Sequence, residues 1–506
     1  MLLITFTNVA QQAFTVQWDT NFGSSEEDNG FAVAASVDGG YAIAGAVNAN
    51  DGTVTTWHQG YDNFGHPLPD LYVVKVDAEG VMQWQTALGT SGPDEALAIT
   101  ATTDGGFAVA GFSNGDFWII KLDSNGSLQW ENLFGGTLSE FAYTIIQTSD
   151  GGYAVGGASS SSNGDVTSNY GWQDYWLLKL DATGNLQWEQ SYGGSSTDEC
   201  YSVIQTSDGG YALAGSANSA DHDITASRGA TDYWFVKTDS EGNLQWQKSF
   251  GGTGADYARS VIQTLDGGYI IAGSTASNDG DVTGWHENTG DGQYFDYWVI
   301  KISSSGDLQW QKALGGTGSD EAWAVVEAPD GGSIVVGRAG TNNGDVVAPG
   351  GGYCWIVKLD ELGNIAWQQS VGSTEAHSIR AAVYDQSGAL VIAGSSDGTY
   401  FNPGESYGFI DMWLIKLNPA PLSLNGHVVS EGILYPNPVK SMLYFESSKM
   451  NVLSTQVFDS TGKMIFENSN SGAFLTNIDI EHLSTGVYVV KLMTPEGEKI
   501  FKVIKE

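Results

Sequence analysis

A refrain recurs through this chain. The lines "GVMQWQTALG", "GSLQWENLFGG", "GNLQWEQSYGG", "GNLQWQKSFGG", "GDLQWQKALGG" and "GNIAWQQSVG" return at intervals of roughly 60 residues, and an unprefaced copy, "AFTVQWDTNFG", stands near the N-terminus. Each later copy follows a "DGGY"-like turn and a "DYWxxKLD"-like run. The turns begin at Asp38, Asp104, Asp150, Asp208, Asp266 and Asp330, with a degenerate seventh at Ser387-Gly388-Ala389. The runs are anchored by Tyr72, Trp118, Trp176, Trp234, Trp298, Trp355 and Trp413, and the refrain by Trp18, Trp84, Trp130, Trp188, Trp246, Trp310 and Trp367. Every element appears seven times.

An Asp-Gly turn between two β-rich runs is a hairpin signal. Each repeat thus reads as four short strands, like "ARSVIQT", "YIIAGS", "DYWVIKI" and "LQWQK". A unit this small cannot bury its apolar faces alone and must stack on its neighbours. Four-stranded repeats that close into a ring are propeller blades. The seventh repeat stops after its third strand, "DMWLIKL", while residues 14–19 supply an orphan fourth. The expected fold is all-β: a seven-bladed β-propeller over residues 13–420, closed by an N-terminal strand so that no sheet edge stays open.

Thirteen of the 17 Trp occupy repeated positions, where packing explains them; each can bury about 150–250 Å². Trp57, Trp172, Trp285 and Trp323 break the repeat. A localised function belongs where symmetry fails.

Gly 67 against Pro 11, with 12% aromatic residues, fits many tight turns between apolar strands and not disorder. The formal charge is −39, and residues 1–420 hold 50 acidic against 13 basic residues. Such a body repels nucleic acid and anionic lipid, which excludes a nucleic-acid partner. Cys200 and Cys354 fall at non-equivalent places in different repeats and read as small buried residues. No run of 18 apolar residues is present, so no transmembrane segment is expected. The opening "MLLITFTNVAQQ" resembles the last half of a secretory signal without its basic beginning, and residues 1–12 read as a signal-peptide remnant.

After a linker at 421–432 the acidic excess ends. Residues 433–506 carry "YPNP", "VFDSTGKMIFE", "LSTGVYVVKL" and "KIFKVIKE" in order, and read as about seven short strands of a small β-sandwich. This stretch resembles the type A C-terminal sorting domain of type IX secretion substrates, found in surface and secreted proteins of the Bacteroidota. The resemblance implies export, the type IX secretion machinery as partner, and a secreted or outer-membrane surface location. Pro436, Asn437, Pro438, Gly462, Lys463, Gly486, Tyr488, Lys499 and Lys502 match the family pattern. The "DGGYxxAGS…DYWxxKLD" repeats are similar to those of large extracellular proteins in the same bacteria, some loosely labelled endoglucanase-like.

Connections alternate along a four-strand meander, so two sets of loops share one face. The loops entering each repeat carry Asp28, Asp94, Glu140, Asp198, Asp256 and Asp320, with His377 in the seventh, and are expected to ring the channel mouth. Turn amides can stabilise such acids individually; a cation or ligand site is the alternative. The loops between second and third strands repeat an Asx-Gly-Asp pattern. Its Asp165, Asp223, Asp279, Asp281 and Asp345 read either as Asx turns or as Ca2+ ligands, Ca2+ being the one cofactor the pattern suggests and expected to stabilise modestly. The same loops hold Trp57, His58, Tyr61, Tyr170, Trp172, Trp285, His286, Tyr294, Tyr400 and Phe401. Aromatic faces among Asn, Asp and Gly suit sugar rings, although rings can equally pack their own loops.

Two functions follow, with a purely structural role in a surface layer or matrix as a third. The favoured one is a non-catalytic surface or secreted propeller that binds a polysaccharide or a surface protein. The other is a glycoside hydrolase or lyase, which needs two carboxylates about 5–5.5 Å or about 6.5–9.5 Å apart. The acids that align recur in most repeats, whereas a catalytic residue should occur in one.

Overall fold

A computed structural model describes residues 14–419 and 433–505, except 59, 287–293, 329–331, 348–353, 373–376, 386, 398–406, 436–437, 447–451, 460–462, 474 and 495–496. All regular structure among them is β-strand. The chain divides into two compact units, Met1–Pro419 and Ala420–Glu506.

The first unit holds seven four-stranded antiparallel sheets. In six of them the strands follow chain order, as in Asp198–Gln205, Tyr211–Ala217, Asp232–Thr238 and Leu244–Phe250. The seventh takes His377–Tyr384, Leu390–Ser396 and Asp411–Pro419 from the chain's later part and completes itself with Phe14–Phe22. There Trp18 lies opposite Lys416 and Phe22 opposite Met412. The leading strand of each sheet contacts the leading strand of the next, and that of the seventh contacts that of the first, Asn29–Ala35. The cycle is closed, and the arrangement is propeller-like.

Burial explains why these residues make these strands. Second and third strands are buried on both faces, as Tyr211–Ala217 and Asp232–Thr238 show, because each sheet is sandwiched between two neighbours. Their Val, Leu, Ile, Ala and aromatic content matches that demand. Fourth strands are half exposed. Trp234, Trp298, Trp355 and Trp413 are fully buried, and Trp234 Nε1 donates to Gln247 Oε1 at 2.9 Å across its own sheet. The refrain Trp acts between sheets: Trp18 Nε1 donates to Ala78 O at 3.0 Å and Trp84 Nε1 to Ser124 O at 2.9 Å, both in the following repeat's hairpin. Trp188 lies on the hairpin glycine Gly242 (φ +80°), where an added Cβ would sit 2.8 Å from the ring.

The Asp of each described "DGG" turn has a partner that the sequence reading did not assign. Lys237, buried on the third strand, donates from Nζ to Asp208 at 2.9 Å and to Thr238 O at 2.7 Å. Lys75–Asp38, Lys121–Asp104, Lys179–Asp150 and Lys301–Asp266 repeat the pairing, and in the seventh sheet Lys416 meets Asp385, two residues ahead of the degenerate turn. A buried ammonium is tolerated only when its donors are met, and here the turn supplies the countercharge.

The second unit contains a three-stranded sheet (Ile433–Tyr435, Met442–Glu446, Leu475–Asp479) and a four-stranded one (Met464–Ala473, Val452–Asp459, Gly486–Thr494, Gly497–Lys505). Leu443, Phe445, Val457, Ile478, Val490 and Val503 form a core shared by both.

Candidate functional site

At six of the seven junctions between sheets two carboxyl groups face one glycine. Asp174 opens a third strand and Asp198 opens the next leading strand. A Cβ built on Gly193, between them, would meet their oxygens at 2.3 Å and 3.0 Å. Asp70–Asp94, Asp116–Glu140, Asp232–Asp256, Asp296–Asp320 and Asp411–Asp28 repeat the pair around Gly89, Gly135, Gly251, Gly315 and Gly23. Glycine is required because any side chain would strike the acids.

Asp28, Asp94, Glu140, Asp198, Asp256 and Asp320 were expected at an open channel mouth, but all six are sealed from solvent. Asp198 accepts from Ser219 Oγ at 2.7 Å, Gly194 N at 2.9 Å and Asn218 N at 3.0 Å. Burial, reinforced by the neighbouring acid, pushes Asp174 up to about 7, and burial likewise lifts Asp28 and Asp320 to about 7. His377 begins the seventh leading strand, and its side chain lies outside the described residues. The second acid of each pair was legible as the D of "DYW" but was read only as part of a strand.

The Asx-Gly-Asp loops clamp these junctions. Asn163, Asp221, Asp279 and Asn343 accept the backbone N–H of Thr137, Ser195, Thr253 and Thr317 at 2.7–3.0 Å. The third residue of each pattern, Asp165, Asp223, Asp281 or Asp345, donates its own N–H to the junction glycine's carbonyl at 2.8–3.2 Å. Asp165, Asp223 and Asp281 also accept that glycine's N–H through Oδ2. Asp281 pairs in addition with Arg228, and Asp345 faces His286 Nε2 at 3.6 Å. Oxygens engaged by amides and protein cations are poorly placed to enclose Ca2+, and no group of three or more His, Cys, Asp or Glu that could hold a metal is found among the described residues. The melting temperature is therefore expected to be the same in EDTA and in millimolar Ca2+; a rise with Ca2+ would return these loops to the role of metal ligands.

The loop aromatics divide into two groups. Trp57 is half-buried, donates from Nε1 to Leu68 O at 3.0 Å and meets Tyr61 edge-on at 5.6 Å. Trp285 packs against the core. His58 and His286 place Nδ1 on Asp70 and Asp296 at 2.7 Å and 2.9 Å. Tyr294 is half-buried, and Tyr400 and Phe401 lie outside the described residues. The exposed group is Trp172 (79% exposed), Tyr61 (59%) and Tyr170 (41%). Tyr170 stacks on His222 with centroids 5.0 Å apart, and the Trp172 backbone is pinned by a 3.0 Å bond to Ser196 O.

A further set of residues escaped the sequence reading, Trp323 excepted. Every leading strand carries a β-bulge at the same place, shown by register shifts at Gly30/Ala32, Ala96/Ala98, Ala142/Thr144, Cys200/Ser202, Ala258/Ser260, Ala322/Ala324 and Ile379/Ala381. The extra residues are Phe31, Leu97, Tyr143, Tyr201, Arg259, Trp323 and Arg380, one per sheet and different in most. A bulge leaves its residue unpaired and re-aims its side chain. Five of them make an unbroken arc. Tyr143 meets Tyr201 at 4.9 Å, Arg259 lies over Tyr201 at 4.1 Å and over Trp323 at 4.7 Å, and Arg380 lies over the other neighbour's side of the arc, 3.8 Å from the Trp323 centroid.

In the C-terminal unit the Tyr488 hydroxyl donates to Ser484 O at 2.9 Å, Gly486 pairs with Lys505, and Val439 N donates to Ile504 O at 2.8 Å. Pro438 and Lys463 are exposed; Pro436, Asn437, Gly462 and the side chains of Lys499 and Lys502 lie outside the described residues. Residues 433–506 match the secretion system C-terminal sorting domain. This unit is a type IX sorting domain. The protein is accordingly secreted or displayed at the cell surface, and its sorting domain engages the type IX machinery. No helix among the described residues is long and apolar enough to cross a membrane.

The body ahead of the sorting domain has more distant likenesses. Over 178 residues the chain is 28% identical to "Regulatory protein FlaEY" of Caulobacter vibrioides, a match covering 34% of this chain and only 18% of that protein. The Pan2 WD40 domain of Neurospora crassa aligns at 10% identity with TM-score 0.48, covering 82% of this chain and 98% of that one. Sqt1 from Chaetomium thermophilum aligns at 11% identity with TM-score 0.43, covering 80% and 100%. The fold assignment rests on the sheet topology and its closed cycle of contacts.

Proposed function

We propose that this protein is an exported seven-bladed β-propeller, over residues 13–420, whose loop face binds a glycan without cleaving it. A linker at 421–432 and a β-sandwich sorting domain at 433–506 follow the propeller. The observation that carries the binding reading is Trp172, a large apolar ring 79% exposed on a backbone held by hydrogen bonds, with Tyr170 exposed two residues away. An exposed indole costs solvation unless something covers it, and a sugar ring offers the flat apolar face that fits. Hydrolysis is disfavoured because the carboxyl groups with raised proton affinity recur at successive junctions and are shut away from solvent. Burial within the repeat accounts for them without a substrate.

The test is depletion of the full chain from solution by a panel of plant, algal and microbial polysaccharides. One glycan should deplete it selectively, and Trp172→Ala should weaken that depletion about tenfold, as expected for loss of an aromatic anchor. A panel that depletes nothing would sink the glycan reading. Release of reducing ends from the bound glycan would favour the hydrolase instead.

A further inference from the structure

Thirteen basic residues serve the acidic body of this chain, and two of them converge on one indole. The repeat lysines are matched to turn carboxylates, and Arg228 to Asp281. Arg259 and Arg380 are different. Their neighbours are Tyr201, Tyr257 and Trp323, and neither has a carboxylate within ion-pair distance among the described residues. Both are half-buried, so neither is free to seek counterions as a surface arginine does. Two partly desolvated cations on one ring repel each other, and burial together with Arg259 holds Arg380 below the ordinary guanidinium range.

Nearby acids do not form ion pairs with the two arginines among the described residues. Glu199 is held by the hydroxyls of Tyr201 at 2.7 Å and Tyr143 at 3.4 Å. Burial raises the Glu95 carboxyl above its ordinary range. Glu321 acts on Arg380 as a stabilising charge from beyond ion-pair distance, so neither guanidinium fork is engaged by a carboxylate among the described residues. The bulges that present the arginines belong to the leading strands, which line the axis of the closed ring.

We propose that the axial opening is an oxyanion site, in which Arg259 and Arg380 hold a carboxylate or sulfate group while Trp323 and Tyr201 flank the molecule that carries it. The guanidinium fork matches such groups bidentately, and its stacking on aromatic rings fixes its orientation beforehand. Phe31 and Leu97, the bulge residues of the first two sheets, give the rest of the ring an apolar wall suited to the uncharged part of the ligand. The site differs in place and in ligand charge from the loop platform and stands whether or not that platform binds glycan.

The test is calorimetric titration of the full chain with sodium sulfate, with trigalacturonate, and with neutral maltotriose. Trigalacturonate or sulfate should bind, and maltotriose should not compete. Binding of sulfate alone would make the ligand a free small oxyanion. Binding of trigalacturonate without sulfate would require the oxyanion to be carried on a sugar. The double variant Arg259→Gln, Arg380→Gln should weaken either interaction at least about tenfold, the loss expected for a charge-assisted pair. Its ligand-free melting temperature should stay equal or rise, since two repelling charges are gone; a purely structural role would lower it. If that variant does not fold, Arg380→Lys, which keeps the charge but loses the planar fork, should show an intermediate loss. Failure of both anions to bind, or unchanged affinity in the variants, would overturn the site.

Discussion

The propeller unit should gain stability as the pH falls from about 8 to about 5. Burial raises Asp28, Asp174 and Asp320 from the ordinary 3.8 to about 7, and Asp296 to about 6. The folded chain therefore holds protons that the unfolded chain would release. A group with a raised folded value contributes fully below its unfolded value, and the contribution is lost as pH rises through the folded one. The window accordingly runs from about pH 4 to about pH 7. A tenfold difference in proton affinity corresponds to about 1.4 kcal/mol, so four groups displaced this far move stability by several kcal/mol. An opposite contribution closes the acid side. Burial tends to raise Asp104, Asp150 and Asp208, yet their threonine and lysine partners outweigh it and hold them at about 2. Their stabilisation is present above the unfolded value and is lost as pH falls from about 4 towards 2.

The chain's charge of −39 pushes the same way, because surface repulsion also relaxes on acidification. Salt separates the two causes: about 1 M salt screens exposed charges and leaves buried pairs largely unscreened. Thermal melts across this range should keep most of their pH dependence at high salt. Asp174→Asn should raise the melting temperature near pH 8 and flatten the profile. A melting temperature that falls between pH 8 and pH 5, or a dependence that disappears in salt, would mean that the junction acids are ionised in the fold.

Those acids also show where sequence reading reaches its limit. Asp174 and Asp198 stand in different sheets, and only the stacking of successive sheets brings each third strand beside the next leading strand. A line of sequence carries each acid as a separate local motif, and their shared glycine, Gly193, as the end of a refrain. The sheets themselves were legible, because Asp-Gly turns and apolar runs are local signals repeated seven times. Trp323 was marked by its break from the repeat, but Arg259 was not. The bulge beside it inserts an unpaired residue into "ARSVIQT" and shifts the alternation from which facing is inferred. Trp172 and Trp285 occupy comparable loops, yet one is exposed and the other packs on the core, a difference that depends on the length and course of each loop.

Removal of residues 14–22 should strongly destabilise the propeller unit and expose a sheet edge. Phe14 and Phe22 are buried and Trp18 lies against Tyr41 at 5.9 Å, so the strand carries three aromatic anchors into two neighbouring sheets. Each large apolar side chain contributes about 1.5–3 kcal/mol through burial alone, which places the loss near the whole stability of an ordinary domain. The pairing with Asp411–Pro419 is lost as well, and that strand, buried throughout its first seven residues, becomes an apolar edge. Such an edge invites pairing with another chain. The truncated protein should therefore elute as aggregate or dimer and melt more than about 10 °C lower. Phe22→Ala, which keeps the strand and removes one anchor, should cost about 3–5 kcal/mol and leave a monomer. A synthetic peptide spanning Phe14–Phe22 added to the truncated chain should recover part of the melting temperature, because the strand is joined to the sheet by hydrogen bonds and packing. A truncated chain that stays monomeric with an unchanged melt would show that the other three strands of that sheet close the ring unaided. In that case the chain's first strand would be a cover for the edge and not its closing element.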